Sequence, residues 1–351
     1  MQVKIKLSVN ELTAIRRASC SHGRAEPALS GAKECPRDSG RDARATTPCG
    51  WLRCRNWLHP AVILLILVHW PVPGLAWGDH GHKLVNAAAV DNLPEPVRAY
   101  FEARKVYLVD HASDPDLLAH DEAAERPHHY TDLDADDTYP FPNLRRQFVL
   151  EGAAPMSWQL RNGDSLWQIE RFTLRLADSL EHRRWQAADE DAVFAAHYAA
   201  DLTQPLHTLK NYDGQLTGQK GVHARFETDL VNALADTWQL KPQPAIFLPD
   251  LRGRIFEEAT ASFNCRNLVF AADRIAVSGR TYLDPQYSAA FYKLAGPLAE
   301  KRLSAAASFV SSLWYTAWVR AGKPPLPGKA GQALEASGLD VEAALRRHVA
   351  R

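Results

Sequence analysis

The stretch His197-Tyr-Ala-Ala-Asp201-Leu-Thr-Gln-Pro-Leu-His207 constrains this chain more than any other. It packs three good metal ligands into eleven residues. His197 and Asp201 are four apart, so on a helix they project from one face, a turn from each other. Gln204-Pro205 then disturbs that helix, and His207 enters from the bend. Sixteen residues on comes His223-Ala-Arg-Phe-Glu227, again a histidine and a carboxylate at i, i+4. Two such pairs so close together predict a site for a borderline-soft divalent cation, zinc above all. A single His-x-x-x-Asp would more simply be a satisfied core or surface pair.

The chain has 351 residues and a formal net charge of zero, which hides an asymmetry. Residues 1–76 hold 11 of the 41 Lys and Arg and 5 of the 41 Asp and Glu, a net of +6; the remainder carries a net of −6. Within that basic segment Ala61-Val-Ile-Leu-Leu-Ile-Leu-Val68 is an unbroken apolar run, preceded by Arg53 and Arg55 and followed by Gly74-Leu-Ala76. A basic start, a short apolar stretch and a small-x-small ending predict an export signal cut between Ala76 and Trp77. The run is shorter than the roughly 20 residues that a bilayer span needs. Residues 1–50 are polar and aperiodic and suggest a start placed too early. Four of the five cysteines (Cys20, Cys35, Cys49 and Cys54) lie in this leader. Only Cys265 would remain, so the exported chain is expected to form no internal disulfide.

After the cut the chain would begin Trp77-Gly-Asp-His-Gly-His82, with a free amine next to a potential ligand. Helical patterns follow over 82–104 with a break at Pro94-Glu-Pro96, then over 165–181, 187–203, 223–238, 250–278 and 286–321. Between them Asp110 to Asp116 reads as a loop, residues 138–163 as irregular, and Asp134 to Asp137 as an acidic run. Lys323 to Gly328 reads as a linker and 333–350 as one small helix. There is no β-alternation, internal repeat or glycine-rich phosphate loop. The expected architecture is all-α: one multi-helical domain over 77–322, with a leader over 1–76 and a tail over 323–351.

The ordered set Trp77, His82, Asp116, His129, His197, Asp201, His207, His223 and Glu227 resembles the superfamily that joins zinc-dependent phospholipases C to single-strand-specific zinc nucleases. The resemblance implies a mostly helical fold around three Zn2+ ions. Asp116, His129, His197 and Asp201 would hold one; the Trp77 amine and carbonyl, His82 and Asp201 a second, with Asp201 bridging; His207, His223 and Glu227 the third. His129 is preferred to His128 because the family's histidine precedes an aromatic residue. Asp116 is preferred to Asp114 because of the spacing in Ser113-Asp-Pro-Asp116. Asp132 matches a catalytic carboxylate of the nuclease branch, and Asp116 is counted with it as a candidate acid–base group.

The implied activity is hydrolysis of phosphoric esters, in which zinc acidifies water and neutralises phosphoryl charge. The substrate is expected to be a phospholipid head group, phospholipase C-like, or alternatively single-stranded nucleic acid. Glu227 as the last ligand resembles the phospholipase branch, whereas the close Trp77–His82 spacing resembles the nucleases. Peripheral membrane contact fits the first substrate, and no obligate protein partner is inferred. The competing reading from another class is a non-catalytic exported zinc-binding protein.

Overall fold

A computed structural model describes residues 77–327 of the chain. The leader, the cleavage site and the small helix expected at 333–350 lie outside the described residues. Helices follow one another as α1 (Gly78–Asp91), α2 (Val97–Glu102), α3 (Lys105–Asp110), α4 (Asp114–Asp121), α5 (Pro142–Arg145), α6 (Met156–Asn162), α7 (Ser165–Glu181) and α8 (Trp185–Thr203). Then come α9 (Val222–Ala224), a π turn (Arg225–Asp229), α10 (Leu230–Leu234), α11 (Leu251–Val277) and α12 (Pro285–Arg320). The described residues contain no strand, and the all-α expectation holds. None of their helices is long and apolar enough to cross a membrane.

α8 sits at the centre, and its sequence explains why. Ala188, Ala192, Ala195, Ala196, Ala199 and Ala200 are all buried, and every residue from Ala195 to Thr203 is shielded from water. A helix buried on all sides needs small residues wherever neighbours approach closely. α7, joined to α8 by three residues, packs Leu166, Ile169, Phe172, Leu176 and Leu180 inward at helical spacing. α12 touches α1, α7, α8 and α11. Its Trp314 stacks on Phe101 at 4.7 Å and donates its indole N–H to the Ala192 carbonyl of α8.

An extended segment lies along α12, and its backbone donors are met by that helix. The N–H groups of Lys241, Gln243, Ile246 and Leu248 donate to the hydroxyls of Ser304, Ser308, Ser312 and Thr316. These hydroxyls recur every fourth residue, on one face of α12. A strand-like segment is thereby satisfied without a partner strand.

Two stretches differ from the sequence expectation. Asp114 to Asp116 is the first turn of α4 rather than loop. Residues 138–163 contain α5, a π turn over Arg146–Glu151, and α6. In both stretches proline favours a turn or irregular reading of the sequence. Pro115 and Pro142 instead occupy the first helical turn, where a missing N–H costs nothing.

Candidate metal centre

His197 and Asp201 project from the last two turns of α8, and the end of that helix is held firmly. The Leu202 carbonyl accepts from Ser262 Oγ at 2.6 Å, and the Thr203 carbonyl from Arg302 Nε at 2.8 Å. Arg302 is buried and paired with Glu258 at 2.8 Å. These side chains of α11 and α12 satisfy carbonyls that the helix end would otherwise orphan. Gln204 leaves the helix, and Pro205 opens the short 3-10 turn that carries His207.

Asp116 comes from the first turn of α4, and His129 from the 3-10 turn Arg126–His129. The segment after His129 is clamped on both sides. Thr131 and Leu133 donate to the carbonyls of His207 and Thr208, while Asp132 donates to Asn162 and Ser165 to Tyr130. Gly163 makes the second clamp possible. Its φ is +80°, and a Cβ there would stand 2.1 Å from the Tyr130 carbonyl oxygen. His82 reaches in from α1, and its ring stacks on His197 at 4.0 Å.

Four donor atoms meet in the first cluster. His129 Nδ1 lies 3.1 Å from His197 Nε2, 3.5 Å from Asp116 Oδ1 and 3.0 Å from Asp201 Oδ2. His197 Nε2 lies 3.5 Å from both Asp116 Oδ1 and Asp201 Oδ2. Ligands placed tetrahedrally at about 2.0–2.1 Å around a zinc ion stand about 3.3–3.4 Å apart, so these separations are close to the edges of that tetrahedron. The other oxygen of Asp201 turns elsewhere: Oδ1 lies 3.2 Å from His82 Nε2. One carboxylate thus faces two groups of histidines.

A second set stands beside it. His207 Nε2, His223 Nε2 and Glu227 Oε2 form a triangle with sides of 3.1, 3.4 and 2.9 Å. Glu227 lies in the π turn that follows α9, a local irregularity often found at functional sites. The two sets are tied together, because His207 Nδ1 is 2.7 Å from the His129 carbonyl.

The rings are oriented for ligation. His197 Nδ1, His207 Nδ1 and His223 Nδ1 each meet a backbone carbonyl, of Ala112, His129 and Tyr212. Donation there leaves Nε2 of each neutral ring as a lone pair aimed into its cluster. Asp116 Oδ2, Asp201 Oδ1, Glu227 Oε1 and His82 Nε2 are buried and make no hydrogen bond. Buried polar atoms are expensive to leave unpaired, and convergent lone pairs repel. A cation answers both problems, so the donor set fits zinc in type and spacing.

The electrostatics point the same way. Burial alone would raise the Asp201 carboxyl, but His197, with His129 and His82 close beside it, holds it well below the carboxylate range. Glu227 is likewise lowered, by His223 and His207, against its own burial. Burial would lower His197, yet Asp201 and Asp116 lift it to about 9. His207 also reaches about 9 against burial, through Glu227 first and Asp201 next. Without metal, therefore, protons provide the positive charge that these carboxylates demand. Asp132 stands at the edge of the site, half-buried. Burial, with Asp134 adding to it, pushes its carboxyl up to about 7, although Lys210 and His207 pull the other way.

The two pairs of alternatives separate in space. His128 turns to Asp164, 2.7 Å away, while its neighbour His129 turns to Asp201. Asp114 is paired with His111 at 2.7 Å, whereas Asp116 faces the cluster. Trp77 is wholly buried at the start of α1, and its indole donates to the Ala200 carbonyl at 2.8 Å.

Sequence reasoning missed several supporting residues. Gln204 is fully buried and donates to Glu227 Oε2 at 2.9 Å. Glu125 accepts from the Tyr198 hydroxyl and lies 3.9 Å behind His129 Nε2. Gln204 sits inside the opening motif, so its place next to a ligand was a usable signal; Glu125 offered none.

Residues 77–232 match the family model described as S1/P1 Nuclease. This is the nuclease side of the superfamily that the ligand order resembles. No curated protein matches the chain. Among solved structures, the alpha-toxin of Clostridium perfringens from the avian strain SWCP is similar, with a TM-score of 0.44 and 17% identity over 70% of this chain. Alpha toxin from Clostridium absonum is similar with a TM-score of 0.43 and 15% identity, again over 70% of this chain. The chain spans 65% of the length of each of these two proteins.

Proposed function

We propose that this chain, matched over 77–232 by the S1/P1 nuclease model, is a zinc-dependent hydrolase of phosphoric esters. The observation that carries the reading is the set of donor separations around Asp201, between 3.0 and 3.5 Å, with both carboxylate oxygens engaged. Asp116, His129, His197 and Asp201 would hold one ion. His82, the second oxygen of Asp201 and the Trp77 backbone would hold another. His207, His223 and Glu227 would hold the third, with room left for water and substrate oxygens. Bound zinc acidifies water and neutralises charge on phosphoryl oxygens.

The protein's own groups supply the rest. Nδ1 contacts to carbonyls keep His197, His207 and His223 in one tautomer and one orientation. Asp132, with its carboxyl near 7, is suited to orient a water molecule and take its proton. Burial of the ligands excludes bulk water and strengthens the field at the reacting phosphate.

Two substrate classes each have one observation behind them. Phospholipid head groups are supported by Glu227 as the last ligand, as in the phospholipase C branch. Single-stranded nucleic acid is supported by the family match. Export after cleavage at Ala76 belongs to the same proposal, because it would free the Trp77 amine. The test is an assay of purified protein on phosphatidylcholine and on single-stranded DNA and RNA, with and without chelator. Chelator-sensitive cleavage of one substrate assigns the branch; no cleavage of either overturns both substrate readings.

A further inference from the structure

We propose that Asp273 is a positioning residue for the His207–His223–Glu227 cluster, acting through Arg225 and Gln219. The proposal rests on reading that cluster as a metal site. Asp273 lies on α11 and is fully buried. It falls outside residues 77–232, so it comes from a part of the chain that the family model does not cover.

Its four donors identify what it holds. Arg225 contacts Asp273 Oδ1 through Nη2 at 3.0 Å, and the Tyr287 hydroxyl contacts the same oxygen at 2.6 Å. Oδ2 accepts from Gln219 Nε2 at 2.7 Å and from the Tyr282 hydroxyl at 3.2 Å. Two of these donors flank the ligands. Arg225 lies between His223 and Glu227, in the π turn. Gln219 lies in the loop that leads into His223, and its carbonyl accepts from Val222.

Arg225 extends the junction further. It donates to the carbonyls of Lys220 and Gln219 at 2.9 and 3.0 Å, and its guanidinium lies 4.0 Å from the centre of the Tyr282 ring. The loop also orients the ring of His223 directly, because the Tyr212 carbonyl meets Nδ1 at 3.1 Å. One buried carboxylate therefore fixes both the loop that aims His223 and the turn that carries Glu227. It touches neither ligand. A buried, fully paired charge of this kind keeps its geometry only while every partner is in place.

The test is zinc affinity, read for each bound ion by competition with a chromogenic chelator, in wild type, Asp273→Asn, Arg225→Lys and Tyr287→Phe. We expect one zinc of Asp273→Asn to bind about 10- to 100-fold more weakly, while the others keep their affinity. Arg225→Lys keeps the charge but loses the fork, so it should weaken the same zinc. Tyr287→Phe removes the hydroxyl that donates to Asp273 and accepts from Arg225 Nε at 2.8 Å, but it leaves both charges in place and should weaken that zinc least; if Asp273→Asn does not fold, these two variants decide. Unchanged affinity for every ion, or equal weakening of all of them, would mean that the junction merely stabilises the fold and would overturn the proposal. Wild-type protein that binds no zinc would overturn the metal reading itself, a separate and visible failure.

Discussion

His207 Nε2 and His223 Nε2 stand 3.1 Å apart, although each ring meets a carbonyl through its other nitrogen. Two lone pairs at that distance repel unless a cation or a proton lies between them. In metal-free protein the proton takes this place, which makes stability depend on pH. His197 and His207 are both raised to about 9 from an ordinary value of 6.5. A raised histidine contributes stability that is complete below about 6.5 and is lost as pH climbs through about 9. Chelated protein should therefore melt at progressively lower temperature across that window. Zinc-loaded protein should show a flatter profile, since metal replaces the protons. Calorimetry from pH 6 to about 9.5 checks this; a flat profile for the chelated form would contradict the assignment.

Asp201→Asn removes the carboxylate that faces both His82 and His129. We expect loss of two ions and a fall in hydrolysis of about a thousand-fold or more, in line with losing preorganised charge at a reacting centre. Normal metal content in this variant would contradict the bridging role.

Neighbouring histidines give an internal control. His129→Ala should lose metal, because His129 Nδ1 faces Asp116, His197 and Asp201. His128→Ala should keep its metal, because that ring is turned to Asp164. Metal analysis of the two variants side by side is sufficient, and the reverse outcome would exchange their roles.

Asp132→Asn should retain its zinc and lose turnover by about 10²- to 10⁴-fold, the usual range for removing a general acid or base. Unchanged turnover would make Asp132 an ordinary acidic loop residue.

Gly163→Ala tests the clamp on the His129–Asp132 segment. Its backbone conformation suits glycine, and the new methyl group would collide with the Tyr130 carbonyl. The strain should cost about 1–3 kcal/mol or more of stability. Activity should fall further than stability, because Tyr130 adjoins His129. Denaturant unfolding and turnover, measured together, check both.

The helices were legible where one face had a clear period, as in α7, or where a clear stop ended a run, as Gln204-Pro205 does for α8. The ligand types were legible because i, i+4 spacing links His197 to Asp201 and His223 to Glu227. What the sequence hid depends on distant partners. Ser304, Ser308, Ser312 and Thr316 look like ordinary helix residues until the extended segment lies on them. Asp273 gives no local signal, since its four donors come from two other stretches of the chain, 219–225 and 282–287. Pro115 and Pro142 misled because proline both ends helices and begins them.

The most direct measurement is zinc per chain in purified protein, by elemental analysis before and after dialysis against chelator. Close to three zinc ions per chain are expected, with hydrolysis lost when they are removed and recovered when they are restored. Protein that binds no zinc, or that hydrolyses phosphoric esters equally well without it, would contradict a zinc-dependent hydrolase.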